Sequence, residues 1–387
     1  MSPDAHATAA GRACKHCLRR SWLLAELSGP LEYYARDRGR LLELLALEDG
    51  ELLAAAAGRR KSELQTGYRR FAGRDSGERE DEQTICRHDQ DYPSALSGPA
   101  APHLLHLSGA ARTLATLAKR PLVTIVGSRR ASDYGWEMAR SLARGLAASG
   151  VTVVAALSDG IAIAAHSGAL EAGGGSLAVM TGGLDVSCPA RRLALYERVK
   201  RHGCAVSELP RDVHGRRWGQ LASERILAEL AALTVVVEAE DTASQLAPAR
   251  IAQALGRPVA AIPGRITSPL SRGTHALLIE GSSLVRGPQD VLDLLYRIGA
   301  LRPDVPAGPM LGGETRPTVG LPPRLKATLE RVGAGCDTPD RLTRAGEEAS
   351  QVLLALSELE LMGLLVRGDG GRYLPRDALG DVRDRAR

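Results

Sequence analysis

At 387 residues, 44% of them hydrophobic and 25% charged, the chain exceeds one typical domain of about 100–200 residues and is too apolar to be disordered. Its formal net charge of +5 permits a polyanionic partner without requiring one. Aromatic residues make up only 3% and Phe occurs once, which disfavours any binding mode built mainly on base stacking and leaves phosphate contacts to carry affinity for a polynucleotide.

In chain order, residues 21–27, 40–47 and 51–53 are leucine-rich and helical in pattern, giving a small N-terminal helical unit over 1–60. Residues 61–90 turn polar, with 74–82 almost wholly charged, and are expected to form a linker. From 121 onward short apolar runs at 122–126, 151–155, 176–180, 204–207, 233–237 and 258–262 alternate with helical stretches at 134–148, 161–172, 191–202, 217–231 and 244–255. That alternation predicts βα units and a parallel sheet covered on both faces, an α/β Rossmann-like domain over 91–300. A Pro- and Gly-rich linker (301–319) follows, then three helices and a hairpin across Asp369-Gly370-Gly371, the order of a winged-helix-like domain (320–376), and a charged tail (377–387).

The chemistry concentrates where strands end. Thr124-Ile125-Val126-Gly127-Ser128-Arg129 is a buried strand broken by glycine that leads into a helix through Ala131-Ser132-Asp133. Helix N-termini at the carboxyl edge of a parallel sheet favour anions, so Gly127 would admit a phosphate, Ser128 would donate to it and Arg129 would grip it. A plain βα turn with a surface arginine is the competing reading. Ser158-Asp159-Gly160 ends the next strand, with Asp159 a candidate N-cap, and Thr181-Gly182-Gly183 ends the one after, so three glycine turns should line one groove. His166 lies on the intervening helix, where a packed ring competes with a ligand-binding role. Neither Gly-x-Gly-x-x-Gly after the first strand nor a P-loop is present, which argues against an NAD enzyme or an ATPase.

The ordered set Val126-Gly127-Ser128-Arg129, Ala164-Ala165-His166-Ser167-Gly168-Ala169-Leu170, Thr181-Gly182-Gly183-Leu184-Asp185, Ser207-Glu208-Leu209-Pro210, Ala261-Ile262-Pro263-Gly264 and Ser271-Arg272-Gly273-Thr274-His275 resembles the DNA-processing protein A (DprA/Smf) family across 121–295. The resemblance implies a cytoplasmic, non-enzymatic homodimer that binds single-stranded DNA and loads a RecA-type recombinase in recombination or natural transformation. It also implies DNA-binding roles for Gly127, Ser128, Arg129, Gly160, His166, Gly182, Gly183, Arg225, Gly264, Arg272 and Gly273, with no catalytic residue and no cofactor. Two departures stand out. Ser158-Asp159 occupies the place of an arginine, and Leu221-Ala222-Ser223-Glu224-Arg225 keeps one arginine where the family has two. Fewer groups gripping phosphates mean weaker and less salt-sensitive binding, since on a single strand each neutralised phosphate adds roughly 0.7 to the logarithmic salt slope. The alternative from another class is a nucleotide sensor or phosphoribohydrolase-like enzyme on a related scaffold, for which the Pro-Gly-Gly-x-Gly-Thr loop is missing.

The six cysteines, at 14, 17, 86, 188, 204 and 336, make no dense framework, and neither a secretory leader nor an apolar run of membrane-spanning length is seen, so a reducing cytoplasmic setting without membrane contact is expected. Cys14-Lys15-His16-Cys17 invites a zinc reading, but only Cys86 and His88 are on hand to complete it and their one-residue gap is poor, so no metal is expected. In the C-terminal unit the third helix carries Glu358 and Glu360 and no basic residue, which favours protein contact over DNA readout.

Overall fold

A computed structural model describes residues 13–71, 83–109, 111–185, 190–211, 213–242, 244–301, 321–333, 336, 338–343, 349–367 and 373–375. The described residues begin with five α-helices, α1 (Lys15–Glu26), α2 (Ser28–Tyr34), α3 (Arg38–Ala46), α4 (Asp49–Ala56) and α5 (Lys61–Arg70). Asp37 starts α3 by accepting a hydrogen bond from the Arg40 N–H, as a short acidic side chain does at an N-cap. Leucines 23, 27, 31, 41, 44 and 52 are buried in one cluster, each worth about 1.5–3 kcal/mol of transfer free energy.

The sheet follows as β1 (Gln83–Cys86), β2 (Leu104–Ser108), α6 (Ala111–Ala118), β3 (Leu122–Val126), α7 (Asp133–Ala148), β4 (Thr152–Ala156), α8 (Ile161–Glu171), β5 (Ser176–Val179), α9 (Ala190–His202), β6 (Cys204–Ser207), α10 (Arg217–Leu230), β7 (Leu233–Val236), α11 (Ala247–Ala254), β8 (Val259–Ala261), α12 (Arg272–Ile279), β9 (Ser283–Leu284) and α13 (Pro288–Arg297). Nine strands form one sheet in the order β1-β2-β6-β5-β4-β3-β7-β8-β9. From β6 to β9 every pairing is parallel, while β1–β2 and β2–β6 are antiparallel.

Strand residues alternate between two cores. Val123, Ile125, Val153 and Ala155 face α7, α8 and α13, whereas Leu122, Val126 and Val154 face α6, α10 and α11. This two-sided burial is why the strands read as unbroken apolar runs. Chain direction across the sheet reverses between β3 and β7, since β4, β5 and β6 lie to one side of β3 and β7, β8 and β9 to the other. In open α/β sheets, ligands bind in the crevice at such a reversal.

The stretch 61–90 departs from the linker expectation at both ends, with α5 running from Lys61 and β1 from Gln83. Its polar composition misleads because α5 exposes most of its surface and buries only Leu64. The N-terminal helices also share their core with the sheet domain, because Leu209, Trp218, Leu221 and Ala222 belong to the same cluster.

Beyond 320 lie α14 (Pro323–Gly333), α15 (Pro339–Thr343), α16 (Ala349–Leu361) and an antiparallel ribbon of β10 (Leu365–Arg367) and β11 (Tyr373–Pro375), around Leu325, Val332, Leu356, Leu359 and Tyr373. Residues 302–320, 368–372 and 376–387, covering the expected linker, the hairpin turn and the charged tail, lie outside the described residues.

Candidate functional site

A cavity of about 380 Å³ opens at the reversal point. Gly127, Ser128, Arg129 and Arg130 after β3 line it, with Ser158 after β4, Thr181 after β5, Gln220, Ser223 and Glu224 of α10, and Glu240, Ser244 and Gln245 after β7. Gly127 has no room for a side chain, since a Cβ there would stand 2.5 Å from the Glu238 carbonyl oxygen. Gly160 adopts φ +73°, which only glycine takes readily, and packs on the Ser128–Arg129 backbone, where the Ile161 N–H donates to the Ser128 carbonyl. These two glycines set the path of the loop that carries Arg129. Ser128 Oγ accepts from the Arg130 N–H at 3.1 Å and keeps one O–H to donate.

Arg129 is exposed and has no hydrogen-bond or ion-pair partner among the described residues. It also lines a second cavity of about 690 Å³, shared with Thr181 and Gln220, whose further wall comes from α2 and the start of α10. Arg36, Arg216 and Arg217 stand there, all exposed, and the Arg36 guanidinium lies 5.2 Å from the centre of the Tyr33 ring, itself 64% exposed. The two spaces adjoin at Arg129, Thr181 and Gln220 and are taken together as the groove.

The acids in the groove are mostly engaged. Glu224, 4% exposed, accepts from Arg38 of α3 at 2.7 Å and from Gln220 at 2.8 Å, and burial raises its pKa against that pairing. Glu32 accepts from the Arg217 and Trp218 N–H groups at 2.9 and 3.3 Å, which binds α2 to the N-terminus of α10. Asp159 is not the N-cap of α8, which is Gly160; it lies 3.6 Å from Arg192 of α9 instead. The positive charge expected at this position is therefore replaced by an ion pair rather than by a lone negative charge. The expected anion site at the start of α7 is likewise filled from within, because Glu238 accepts from the Ser132 N–H at 2.9 Å and from its hydroxyl at 2.5 Å.

The profile described as DNA recombination-mediator protein A matches residues 83–296. The chain belongs to the DNA recombination-mediator protein A family. It is similar to the putative DNA processing protein DprA of Mycobacterium tuberculosis, with 35% identity over 315 residues, covering 77% of this chain and 78% of that protein. Protein Smf of Escherichia coli is 35% identical over 284 residues, 73% of this chain and 71% of its own length. The crystal structure of DNA processing protein A from Streptococcus pneumoniae superposes with a TM-score of 0.58 at 29% identity, covering 73% of this chain and 98% of the other.

In this DNA recombination-mediator protein A member the residues expected to act together separate into three groups. Gly127, Ser128 and Arg129 line the groove with Gly160 packed behind their backbone, and Gly182 and Gly183 are buried beside Thr181, with Gly183 pressed against the Pro210 and Arg211 carbonyls. Gly264, Arg272 and Gly273 lie after β8 and at the start of α12 and line neither cavity; Gly264 instead packs against Ser271, and Gly273 against the Ala239 and Glu240 carbonyls.

His166 and Arg225 are corrections. The His166 ring is fully buried, its Nε2 donating to the Ala156 carbonyl at 3.2 Å and its Nδ1 accepting from Ser176 at 2.8 Å, and desolvation lowers its pKa to about 4. It lines neither cavity. Arg225, 1% exposed, is ion-paired with Glu208, itself 5% exposed, beneath α10. The lining residues missed, Tyr33, Arg36, Arg216 and Arg217, come from segments that the shared core of the N-terminal helices and α10 brings to the second cavity, and the Arg216-Arg217 pair at the start of a helix is the one signal that could have found two of them.

The one-residue gap between Cys86 and His88, read from the sequence as poor for a metal, does not keep these residues from Cys14 and Cys17. Cys14, Cys17, Cys86 and His88 bring their ligand atoms within 4.8 Å of one another. The Asp89 N–H donates to the Cys86 carbonyl at 2.8 Å, and this turn after β1 is what makes a one-residue gap workable. Cys188 lies outside the described residues, and Cys204 is a buried thiol pushed up to about 12 by burial.

Proposed function

We propose that the groove binds single-stranded DNA through its phosphates and that the protein acts without catalysis, presenting the strand to a RecA-type recombinase. The observation that carries this reading is Arg129, exposed and without an internal partner, at the junction of two cavities that also gather Arg36, Arg216 and Arg217. With Arg130, five arginines line these cavities and suit a chain of phosphates, and the carboxylates facing them are mostly engaged. Tyr33 beside Arg36 adds one ring for a base, in keeping with a chain that has few aromatics to spend on stacking. Membership of a recombination-mediator family supports the handover to a recombinase.

The C-terminal unit fits protein contact better than DNA readout. Its α16 leaves Leu353, Leu354 and Leu361 exposed, as is Met362 just beyond it, and Glu358 is paired with Arg324. Self-association is assigned to the open edge at β9, where Ile279 is 86% and Leu284 51% exposed. No helix among the described residues is long and apolar enough to cross a membrane, and a cytoplasmic setting suits a DNA partner.

Fluorescence anisotropy with a labelled single-stranded oligonucleotide at two salt concentrations, with a duplex control, tests the groove. Salt-sensitive preference for the single strand is expected. Binding only of mononucleotides would overturn the reading in favour of a sensor, because 380 Å³ is also the size of a small-ligand pocket.

A further inference from the structure

Far from the groove, with four strands between β1 and β3, the start of α1 meets the end of β1. Cys14 is the N-cap of α1 and Cys17 lies in its first turn; Cys86 ends β1 and His88 sits in the turn beyond. The three cysteines are fully buried and His88 is exposed. With Ala13 and Leu104 they make up a small core separate from the other apolar clusters, in which three of five buried members are sulfur-bearing. Such a patch buries little hydrocarbon of its own to fasten the start of α1 to the end of β1.

The geometry is that of four donors around a shared centre. His88 Nδ1 lies 3.4 Å from Cys14 Sγ and 3.4 Å from Cys17 Sγ. A tetrahedral ion with bonds of about 2.3 Å to sulfur and about 2.0–2.1 Å to nitrogen sets that edge at about 3.5 Å. One imidazole nitrogen equidistant from two sulfurs is hard to reconcile with a single hydrogen bond, since Nδ1 offers one proton or one lone pair. The Cys14 N–H donates to Cys86 Sγ at 3.4 Å, the kind of backbone bond that steadies a metal-bound thiolate, and the N-terminus of α1 adds its positive dipole end. A disulfide would use two of the three sulfurs and strand the third.

We propose that Cys14, Cys17, Cys86 and His88 form a structural Zn²⁺ site that clamps the N-terminal helices to the edge of the sheet. Three thiolates and one imidazole are a soft, closed tetrahedral set with no position left for substrate, which suits zinc in a structural role. The three thiols give up their protons to solvent as the ion binds. The site stands apart from the groove, so its fate does not depend on whether the protein binds DNA.

The test is elemental analysis of the full-length protein purified without chelator, followed by zinc release to a colorimetric chelator. About one zinc per chain is expected, with the thiols of Cys14, Cys17 and Cys86 all recovered after denaturation. Cys86→Ser should lose the metal. Should that variant fold poorly, the exposed His88 gives a milder probe: His88→Ala should release zinc more than about tenfold faster, and His88→Cys should retain it. Replacement by Co²⁺ should give the intense visible bands of tetrahedral thiolate coordination in the wild type and His88→Cys, and none in Cys86→Ser. No zinc retained by reduced, zinc-supplemented wild type, a Cys14–Cys17 disulfide in the protein as isolated, or unchanged release from His88→Ala would each overturn the assignment.

Discussion

Arg129 and Arg225 are both arginines in segments that resemble one family's DNA-binding motifs, yet the fold treats them oppositely. Arg129 stands on a loop whose backbone is fixed by Gly127 and Gly160 and whose guanidinium faces solvent. Arg225 lies on the inner side of α10 with Glu208, and Glu229 and Tyr92 are close enough to feel its charge. Arg129 has the nearby charge of Glu224, which Arg38 already pairs, so the contrast is between an arginine left with hydrogen-bonding capacity and one whose carboxylate the fold supplies in direct contact. Where the protein supplies the carboxylate itself, the same residue belongs to stability.

The largest effect that would sharpen this contrast is on Arg225. Removing one member of a buried pair strands the other, so Arg225→Met should cost about 3–5 kcal/mol in urea unfolding, and adding Glu208→Leu should recover much of that loss. Intact stability with lost DNA binding would break the comparison.

His166 comes next, as a second motif residue the fold has taken inside. Its ordinary pKa of 6.5 falls to about 4 in the folded protein because burial opposes the charged ring. The unfolded chain therefore binds more protons between these values. The stability from keeping this ring neutral is present in full above about pH 6.5 and is lost as pH falls towards about 4, by about 3 kcal/mol at most. His103, lowered to about 3 by burial, acts in the same direction, so the check is the difference in pH dependence between wild type and His166→Gln.

Arg129→Ala should leave unfolding within about 0.5 kcal/mol of wild type and weaken strand binding by on the order of 1.5–3 kcal/mol. Unchanged affinity in anisotropy would remove Arg129 from the site. The smallest expected effect is at Arg216, an exposed groove residue, where Arg216→Ala should flatten the logarithmic salt dependence by roughly 0.7, measured across a salt series.

The sequence was most legible where one physical signal dominated. Runs such as Leu122–Val126 could only be two-sided strands, and the glycine after β3 announced the turn that carries Arg129. Legibility failed where an outcome hinged on distant packing. Gln83–Cys86 is too short and mixed to stand out, and it is a strand because β2 pairs with it in register. His166, Arg225 and Glu238 carry charge or polarity that reads as surface, but each is matched by a partner that no local pattern reveals. The four metal-ligating candidates were visible as residue types, and only the turn after β1 brings them together.

How far the family's matched segment, 83–296, is autonomous in this chain turns on α10. The outer face of α10 buries Trp218, Leu221 and Ala222 against the N-terminal helices, and the Trp218 indole N–H donates to Ser28 at 3.0 Å. A polypeptide begun at residue 83 would turn that face to water, lose the Glu32 cap on the helix and leave Glu224 without Arg38. The helix that walls the groove is thus held from both sides, and the N-terminal helices are scaffold for the groove as much as an appendage to it.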